Sequence, residues 1–293
     1  MKRADLVDAD CGITQALDVL GDGWTFLIVR DIAGGTTRFD ALQRQLGISR
    51  RALTERLTHL VEHGVLVRRP YSQHPPRYDY LLTPKGEGLL PVLIALQDWG
   101  TRHVMGDGHL TATADNASAE TRRVHRLVGR RLPRVTVLQH DGQPAALDGF
   151  GAWTVLYCFP GAYAPAAQGY PPGWSEIPGA AGCTLESMTY ASRHAAFRAL
   201  GAHVRGVSTQ RPDQLAAFVA HVRLPFPLLS DQDNKLAAGL RLPTFRAAGV
   251  DRLKRLTLLV DPDAVIRAVQ FPVTDPAASV DDMLGHLTRL ASA

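Results

Sequence analysis

A tight turn at Gly47-Ile48-Ser49 constrains the first third of the chain most strongly, because it separates two segments of helical periodicity. The segment before the turn, Phe39–Leu46, is short. The segment after it, residues 49–62, has leucines on one stripe and arginines and threonines on the other. Serine is a favourable N-cap for the second helix. A short helix, a glycine turn and a longer helix with a basic face predict a helix-turn-helix unit.

The flanking segments predict a winged form of this unit. Helical stripes at residues 13–19 and 24–33 precede the turn. After it, two short strands at 65–69 and 77–83 are expected to form a β-hairpin wing. A further helix is predicted over residues 85–104, with an apolar face expected to bury against a second subunit: Leu89, Leu93, Leu96 and Trp99.

The charge of this region points to nucleic acid. Residues 36–85 carry nine Lys/Arg and four Asp/Glu, a local net charge of +5, whereas the whole chain has only +4. Such a local basic surplus is typical of DNA binding. We therefore expect double-stranded DNA as a partner, with these contact residues on the recognition helix and the wing: Ser49, Arg50, Arg51, Thr54, Arg56, Arg69 and Arg77.

Several separated motifs in residues 8–104 resemble the HxlR-type winged-helix regulators. They are Cys11, the Leu20-Gly21-Asp22-Gly23-Trp24 run, Arg38-Phe39-Asp40-Ala41-Leu42, the Ile48-to-Leu57 helix, the Pro75-to-Tyr80 wing and Leu82-Thr83-Pro84-Lys85-Gly86. The resemblance implies a homodimer on palindromic DNA. It also implies that Cys11 is a candidate redox-reactive thiol, although packing at the dimer interface is the favoured reading of this cysteine.

One metal-like pattern is rejected. His59-Leu60-Val61-Glu62-His63 matches an inverted zincin motif, but it lies at the end of the recognition helix, where Leu60 and Val61 are needed in the core. We expect no metal and no cofactor.

A Gly/Ala/Thr/Asp-rich stretch at residues 105–120 reads as a boundary. Residues 121–134 follow and contain six arginines. We interpret this segment as a solvated amphipathic helix, and the alternative is an arm that contacts DNA phosphates. We predict a DNA-binding and dimerisation domain at 1–104, a linker at 105–131 and a second domain at 132–293.

The second half predicts an α/β domain, because apolar strands alternate with helices. A buried strand at 151–159 is followed by a Pro/Gly-rich loop and by Cys183, just before a helical run at 187–200. A thiol at a helix N-terminus gains thiolate character from the helix dipole. The alternative for Cys183 is a small buried core residue.

Five motifs in residues 132–293 resemble the peroxiredoxins of the AhpC/TSA group, thioredoxin-fold peroxidases. They are residues 155–160, 182–186, 206–208, 227–231 and 255–261. The resemblance implies that Cys183 is oxidised by a hydroperoxide to a sulfenic acid, that Arg255 lowers its pKa and polarises the peroxide, and that Glu186 is the family's acidic or amide residue. It also implies an external thiol reductant, if the domain is active.

Three positions depart from the family pattern. Ala180 replaces a threonine, Glu176 replaces a proline, and Met188 stands where close members often have a resolving cysteine. The peroxide-binding hydroxyl would then come from Thr184 or Ser175, and Cys158, Cys11 or an outside thiol would resolve the sulfenic acid.

Three cysteines in 293 residues fit a reducing cytoplasm rather than a disulfide framework. No run of 18 apolar residues predicts a membrane span, and the acidic first thirty residues do not read as a signal peptide. We expect a cytoplasmic, redox-responsive transcription regulator that senses peroxide or thiol stress through Cys183. The alternatives are a working one-cysteine thiol peroxidase with an accessory DNA-binding domain, and a regulator whose thioredoxin-fold domain is an inactive partner-binding module.

Overall fold

The computed structural model describes residues 11–165 and 169–291. The chain divides into two compact units, Met1–Leu93 and Ile94–Ala293. Within the described residues, no helix is both long enough and apolar enough to cross a bilayer.

The first unit is a winged helix-turn-helix, which confirms the predicted fold class. Its elements are the helices α1 Gly12–Leu20, α2 Gly23–Ala33, α3 Phe39–Leu46 and α4 Arg50–Glu62, the strands β1 Leu66–Gln73 and β2 Pro76–Leu82, and the one-turn helix α5 Pro84–Glu87. Gly47 ends α3 at a φ of 66°, a left-handed conformation that favours glycine.

The leucine stripe of α4 is the centre of this unit's core. Leu53, Leu57 and Leu60 are fully buried and pack with Ile28 of α2 and Leu42 of α3. Strands β1 and β2 pair antiparallel from Leu66 opposite Leu82 to Gln73 opposite Pro76. The wing is therefore longer than the hairpin predicted from strands at 65–69 and 77–83. The core buries one face of α4 and leaves its arginine-rich face exposed.

The helix predicted over residues 85–104 is interrupted. It consists of α5 and a separate helix, α6 Leu90–His103. The break follows Gly86, where a Cβ would lie 2.3 Å from the carbonyl oxygen of Val65. Leu89 and Leu93 are partly buried and pack against the core of the first unit, so a second subunit is not needed to explain this part of the apolar face. The apolar side chains exposed on α6 are Val92, Leu96 and Trp99.

The second unit is built on a seven-stranded mixed sheet and confirms the predicted α/β class. After α7 Ala119–His125, its elements are β3 Thr136–Gln139, β4 Pro144–Ala146, β5 Trp153–Cys158, α8 Cys183–Ala199, β6 Ala202–Ser208, α9 Pro212–Val222, β7 Leu228–Ser230, α10 Lys235–Leu240, β8 Thr244–Ala247, β9 Val250–Leu253, β10 Leu256–Val260, β11 Ile266–Gln270 and α11 Ala278–Ala291. The sheet order is β11-β10-β5-β6-β7-β3-β4, and β5, β6 and β7 are parallel.

One large core joins the sheet to three helices. Val155 and Tyr157 of β5 pack with residues of α8, α9 and α11, including Tyr190, Phe218 and Met283. Because successive strand residues face opposite sides of a sheet, Cys158 points away from this core. The hairpins β3–β4 and β8–β9 are absent from the sequence prediction, because their strands of three or four residues are too short to show a period.

The arginine-rich segment is not the continuous helix predicted over residues 121–134. Helix α7 ends at His125, and the chain turns at Gly129, whose φ is 84°. Beyond the turn, Gly129 and Leu132 donate backbone hydrogen bonds to Ile266 and Ala264, and Leu132 is buried. Backbone hydrogen bonds to residues at and before β11 therefore replace the C-terminal half of the expected helix.

Candidate functional site

Cys183 is the first residue of α8, at the N-terminus predicted for it. The preceding Gly182 has a φ of 99°, and a Cβ there would lie 2.8 Å from Pro276. Glycine therefore lets the loop turn directly into the helix. The Cys183 side chain is only 1% exposed and packs in the large core. The thiol is thus both at a helix N-terminus and inside the domain.

Arg255 and Glu186 lie beside this thiol. The Arg255 guanidinium places Nη2 3.3 Å from Cys183 Sγ and 2.8 Å from the carbonyl oxygen of Ala181. Its Nη1 forms a hydrogen-bonded ion pair with Glu186. Both side chains are at most 2% exposed. Arg255 lies between β9 and β10, and Glu186 lies in the first turn of α8, so the fold brings three of the four residues predicted as catalytic into direct contact.

The thiol is less acidic than its position predicts. We expected the helix dipole and Arg255 to lower the pKa of Cys183, but burial raises it above the ordinary value, against the opposing effects of Arg255 and of a backbone hydrogen bond from Gly161. The cause is visible in the contacts. Desolvation disfavours the thiolate, and Glu186 compensates much of the Arg255 charge. In this conformation burial and the Glu186 charge therefore favour the thiol form of Cys183 over the thiolate.

We predict an alkylation profile that follows this pKa. Because the thiolate is the nucleophile, the rate of Cys183 alkylation by iodoacetamide should be low at pH 7 and rise through and beyond pH 9. Arg255→Lys should shift the profile to higher pH, since its compact charge loses the paired contacts to sulfur and Glu186. Peptide mass spectrometry gives the rate at each cysteine, and a plateau reached below pH 7 would contradict the assignment.

Glu186 carries its own electrostatic cost. Burial raises its pKa to about 7, although Arg255 acts to lower it. Its Oε1 accepts no hydrogen bond from the residues at 11–165 and 169–291. The carboxylate is therefore stabilised mainly by a single guanidinium, which ties its charge to Arg255.

Two hydroxyl groups lie near the thiol, that of Thr184, which the sequence analysis named, and that of Tyr170, which it did not. Thr184 is the second residue of α8, and its Oγ1 lies 3.4 Å from the hydroxyl of Tyr170. Ala180 is fully buried, and its carbonyl accepts a hydrogen bond from the Cys183 thiol at 3.5 Å. The sequence did not indicate Tyr170, because it lies in a loop without periodicity.

A second arginine, which was not predicted from the sequence, lies on β9 and contacts the loop that precedes Cys183. Arg252 is buried, stacks on Trp174 at 4.9 Å and donates a hydrogen bond to the hydroxyl of Tyr163 at 2.9 Å. It also contacts the carbonyl of Pro160, next to the glycine that donates to Cys183. Its position three residues before Arg255, on β9, is the only signal that the sequence offered.

The other two cysteines have environments that differ from that of Cys183. Cys158 is fully buried on the sheet face opposite Tyr157, and burial raises its pKa far above the ordinary value. Cys11 precedes α1 in the first unit, and backbone hydrogen bonds from Thr14 and Ile13 lower its pKa. Of the two, only Cys11 combines solvent access with thiolate character.

The recognition helix presents most of its predicted DNA contacts on the exposed face of α4. Ser49 caps the helix by accepting a hydrogen bond from Ala52 N. The Arg51 side chain is 90% exposed and pairs with Glu55 one turn later. Arg50 contacts Asp40 and stacks on Phe39, and the Thr54 hydroxyl donates to the Arg50 carbonyl. The exposed arginines can therefore exchange weak surface contacts for phosphates or bases.

Arg56 has a different environment. Its Nε donates to Asp22 Oδ2 at 2.7 Å, and Asp22 also caps α2 through Thr25 N. Arg56 therefore ties α4 to α2 and is poorly placed to reach DNA as well. On the wing, Arg69 and Arg77 are exposed. The two histidines of the rejected metal pattern bond to backbone carbonyls, His59 to Val19 and His63 to His59.

Two family matches agree with these two units. Residues 19–107 match the family described as HxlR-like helix-turn-helix, and residues 177–269 match the AhpC/TSA family. A protein of Mycobacterium tuberculosis described as an uncharacterized HTH-type transcriptional regulator is 41% identical over 92 residues, which cover 31% of this chain and 58% of that protein. YvaP of Bacillus subtilis, described in the same words, is 36% identical over 91 residues, covering 31% of this chain and 84% of YvaP.

Solved structures similar to the second unit include peroxidoxin BcpB from Mycobacterium tuberculosis. It is 24% identical, with a TM-score of 0.46, covering 55% of this chain and 96% of BcpB. A peroxiredoxin Q of Xanthomonas campestris is 24% identical with a TM-score of 0.44, covering 54% of this chain and 91% of that one. Through its N-terminal domain the chain belongs to the HxlR-like helix-turn-helix regulators, and it carries an AhpC/TSA domain after it.

Proposed function

We propose that this chain is a peroxide-responsive transcription regulator. In this account the winged helix binds double-stranded DNA as a homodimer, and Cys183 of the peroxiredoxin-like domain is the sensor. The observation that carries the proposal is the contact of Arg255 with Cys183 Sγ at the N-terminus of α8. That arrangement stabilises a thiolate once water or peroxide reaches the sulfur, and it occurs in a chain with a DNA-binding domain.

The first step is access to the thiol. Because Cys183 is 1% exposed, the loop before α8 must open before a hydroperoxide can reach the sulfur. Opening hydrates the site and removes the desolvation that raises the pKa, while Arg255 and the helix N-terminus remain to stabilise the thiolate. Reactivity is then governed by opening, which suits a sensor more than an enzyme of high turnover.

The second step is oxidation. The thiolate sulfur attacks one peroxide oxygen, the O–O bond breaks, and the other oxygen leaves as alkoxide or hydroxide and takes a proton. Sulfur gains an S–O bond and loses two electrons to the peroxide. The Arg255 guanidinium donates hydrogen bonds to the developing negative charge. In the closed form Thr184 and Tyr170 are the nearby hydroxyl groups that can supply a further donor.

The third step is reduction by an outside thiol. Met188 occupies the position of a resolving cysteine on α8, but its thioether cannot form a disulfide. Cys158 lies on the opposite face of the sheet. The sulfenic acid therefore persists until an external thiol condenses with it, releasing water and forming a mixed disulfide that a second thiol reduces. Because the sulfenic acid persists, the oxidised protein can keep an altered DNA affinity until the thiol is reduced.

A thiol peroxidase remains the second candidate, because Arg255 and Cys183 have the paired contact that such chemistry needs. Peroxide consumption with excess dithiothreitol separates the two roles. A sensor should consume peroxide slowly, in proportion to opening, whereas sustained consumption on the scale of many turnovers per second would favour the enzyme. If Cys183 shows no peroxide reaction at all, the domain is an inactive module.

Arg51→Ala is expected to weaken binding to specific DNA by about 1–3 kcal/mol if Arg51 reads a base edge. Arg77→Ala, on the wing, should instead weaken all sequences about equally and flatten the salt dependence. Fluorescence anisotropy with specific and scrambled duplexes measures both effects.

Arg56→Ala is the matched control for Arg51, since both arginines lie on α4. It should lower the stability of the first unit by breaking the contact with Asp22, with little change in sequence preference. An equal loss of specificity in Arg51→Ala and Arg56→Ala would show that the DNA-binding surface lies elsewhere on the protein. Unchanged DNA affinity in both Arg51→Ala and Arg77→Ala would show the same.

The homodimer is proposed to form through the exposed apolar side chains of α6. Val92, Leu96 and Trp99 are each about half exposed, an unusual concentration on one helix. Sedimentation of the full chain at micromolar concentration should show a dimer, and Leu96→Glu with Trp99→Glu should yield a folded monomer. A monomeric wild type would rule out this surface as a dimer interface and the palindromic operator with it.

A further inference from the structure

A cavity of about 420 Å³ lies within the second unit and does not include the thiol site. Its wall is formed by the second half of α6, the segment at residues 106–118, the start of α7, Phe245 of β8 and Lys254. Neither Cys183, Glu186 nor Arg255 lines it. Its volume falls in the range typical of small-molecule sites.

One side of the cavity is apolar and aromatic. Leu110, Met105 and the ring of Phe245 line it. Phe245 is buried and packs in a small cluster with Trp174 and Ala112, so its ring is fixed in place. A flat apolar group of a ligand can pack against this rigid side without rearranging it.

The charge of the lining is negative. Four carboxylates line the cavity, whereas its fixed cations are only Arg102 and Lys254, a formal balance of −2. The carboxylates are Asp98, Asp107, Asp115 and Glu120. Arg123, outside the lining, lies 3.7 Å from Glu120 Oε1 and reduces the balance to −1. A cation is therefore favoured over an anion at this site.

Buried acceptors in the wall have unused capacity. Glu120 is 4% exposed; its Oε2 accepts from Lys254 Nζ at 2.8 Å, but its Oε1 accepts no hydrogen bond from any residue that the structure describes. The buried Thr113 Oγ1 has no hydrogen-bond partner among those residues either. Asp98 is partly buried in the same wall, and burial raises its pKa. Of these groups Asp98 has accessible surface and would accept hydrogen bonds from an ammonium group, whereas Glu120 contributes buried negative charge behind the cavity wall.

We propose that this cavity binds a small organic cation with an aromatic body and an ammonium group. The ring packs against Phe245 and Leu110, the ammonium group donates to Asp98, and the buried charge of Glu120 adds to the negative potential. Such a ligand would contact Lys254, the neighbour of Arg255, as well as α6. Binding itself does not depend on peroxide chemistry at Cys183, so the site stands apart from the proposed sensor.

The test uses tryptamine as the cationic probe and isothermal titration calorimetry on the full chain. Indole-3-propionate, with the same ring and the opposite charge, and the neutral N-acetyltryptamine are the matched ligands. Tryptamine should bind at least tenfold more tightly than either. Asp98→Asn should weaken tryptamine at least tenfold, whereas Asp141→Asn, in the turn between β3 and β4, should leave it unchanged.

A second variant tests the cavity independently of Asp98→Asn. Met105→Trp, at an exposed rim position, should fill the cavity and weaken tryptamine binding while leaving the circular dichroism spectrum unchanged. Cys183→Ser should bind tryptamine as the wild type does. Absence of tryptamine binding up to millimolar concentration, equal affinity for indole-3-propionate, or full affinity in both Asp98→Asn and Met105→Trp would overturn the proposal.

Discussion

Arg255→Leu is expected to lower the free energy of unfolding by about 3–5 kcal/mol, because it leaves a buried carboxylate without its cation. Arg255 and Glu186 are at most 2% exposed and form a hydrogen-bonded ion pair beneath the thiol. Leucine fills much of the volume, so the loss comes mainly from the stranded charge of Glu186 rather than from a cavity. Urea unfolding followed by circular dichroism measures the change.

Two further variants separate charge from packing. Arg255→Leu combined with Glu186→Leu should recover most of the stability lost in the single variant, since no buried charge remains. Arg246→Leu breaks an ion pair with Asp251 whose arginine is 48% exposed, and should cost at most about 1 kcal/mol. A single Arg255→Leu variant as stable as the wild type would show that Glu186 is not held as a charged partner.

Limiting hydrogen peroxide is expected to oxidise Cys183 selectively, with complete loss of sulfenic acid trapping by dimedone in Cys183→Ser. The reason is that Arg255 and the α8 N-terminus lie beside this sulfur and stabilise its thiolate once the loop before α8 opens. Cys158 is fully buried with a strongly raised pKa, and it should remain unmodified. Peptide mass spectrometry after dimedone treatment reports each site separately.

The control for this experiment is Cys11, whose lowered pKa and partial exposure make it the competing thiol. Cys11→Ser should retain the dimedone adduct at Cys183. If the adduct instead maps to Cys11 and is lost in Cys11→Ser, the sensor lies in the first unit and Cys183 is a structural cysteine.

Residues close together along the chain made the first unit predictable. The turn at Gly47, the cap at Ser49 and the leucine stripe of α4 are local features, and the structure contains them as expected. The break between α5 and α6 was missed because its cause is the approach of Gly86 to Val65, a contact made across the fold.

The thiol site shows where sequence reasoning stops. Cys183 at the start of α8 follows from local pattern, but Arg255 is 72 residues away and was assigned only through family resemblance. The direction of the pKa change was wrong because it depends on burial and on the competing charge of Glu186, which are properties of the packed domain. Tyr170 gave no signal, and Arg252 gave only its spacing from Arg255, because loop and hairpin contacts have no sequence period.

The departures from the family pattern have a structural counterpart. Ala180 is buried in a small cluster with Trp174 and Phe245, so the missing hydroxyl is replaced by packing. A site with a protected thiol, one buried arginine and no adjacent resolving cysteine is better suited to slow, persistent oxidation than to rapid turnover.

The most direct test of the central claim is the DNA affinity of the reduced and oxidised protein. A duplex selected in vitro for binding to the reduced wild type serves as the probe, with anisotropy measured before and after one equivalent of peroxide and again after dithiothreitol. The account predicts at least a tenfold reversible change in Kd for the wild type and for Cys11→Ser, and none for Cys183→Ser. Equal DNA affinity of reduced and Cys183-oxidised wild type would contradict it.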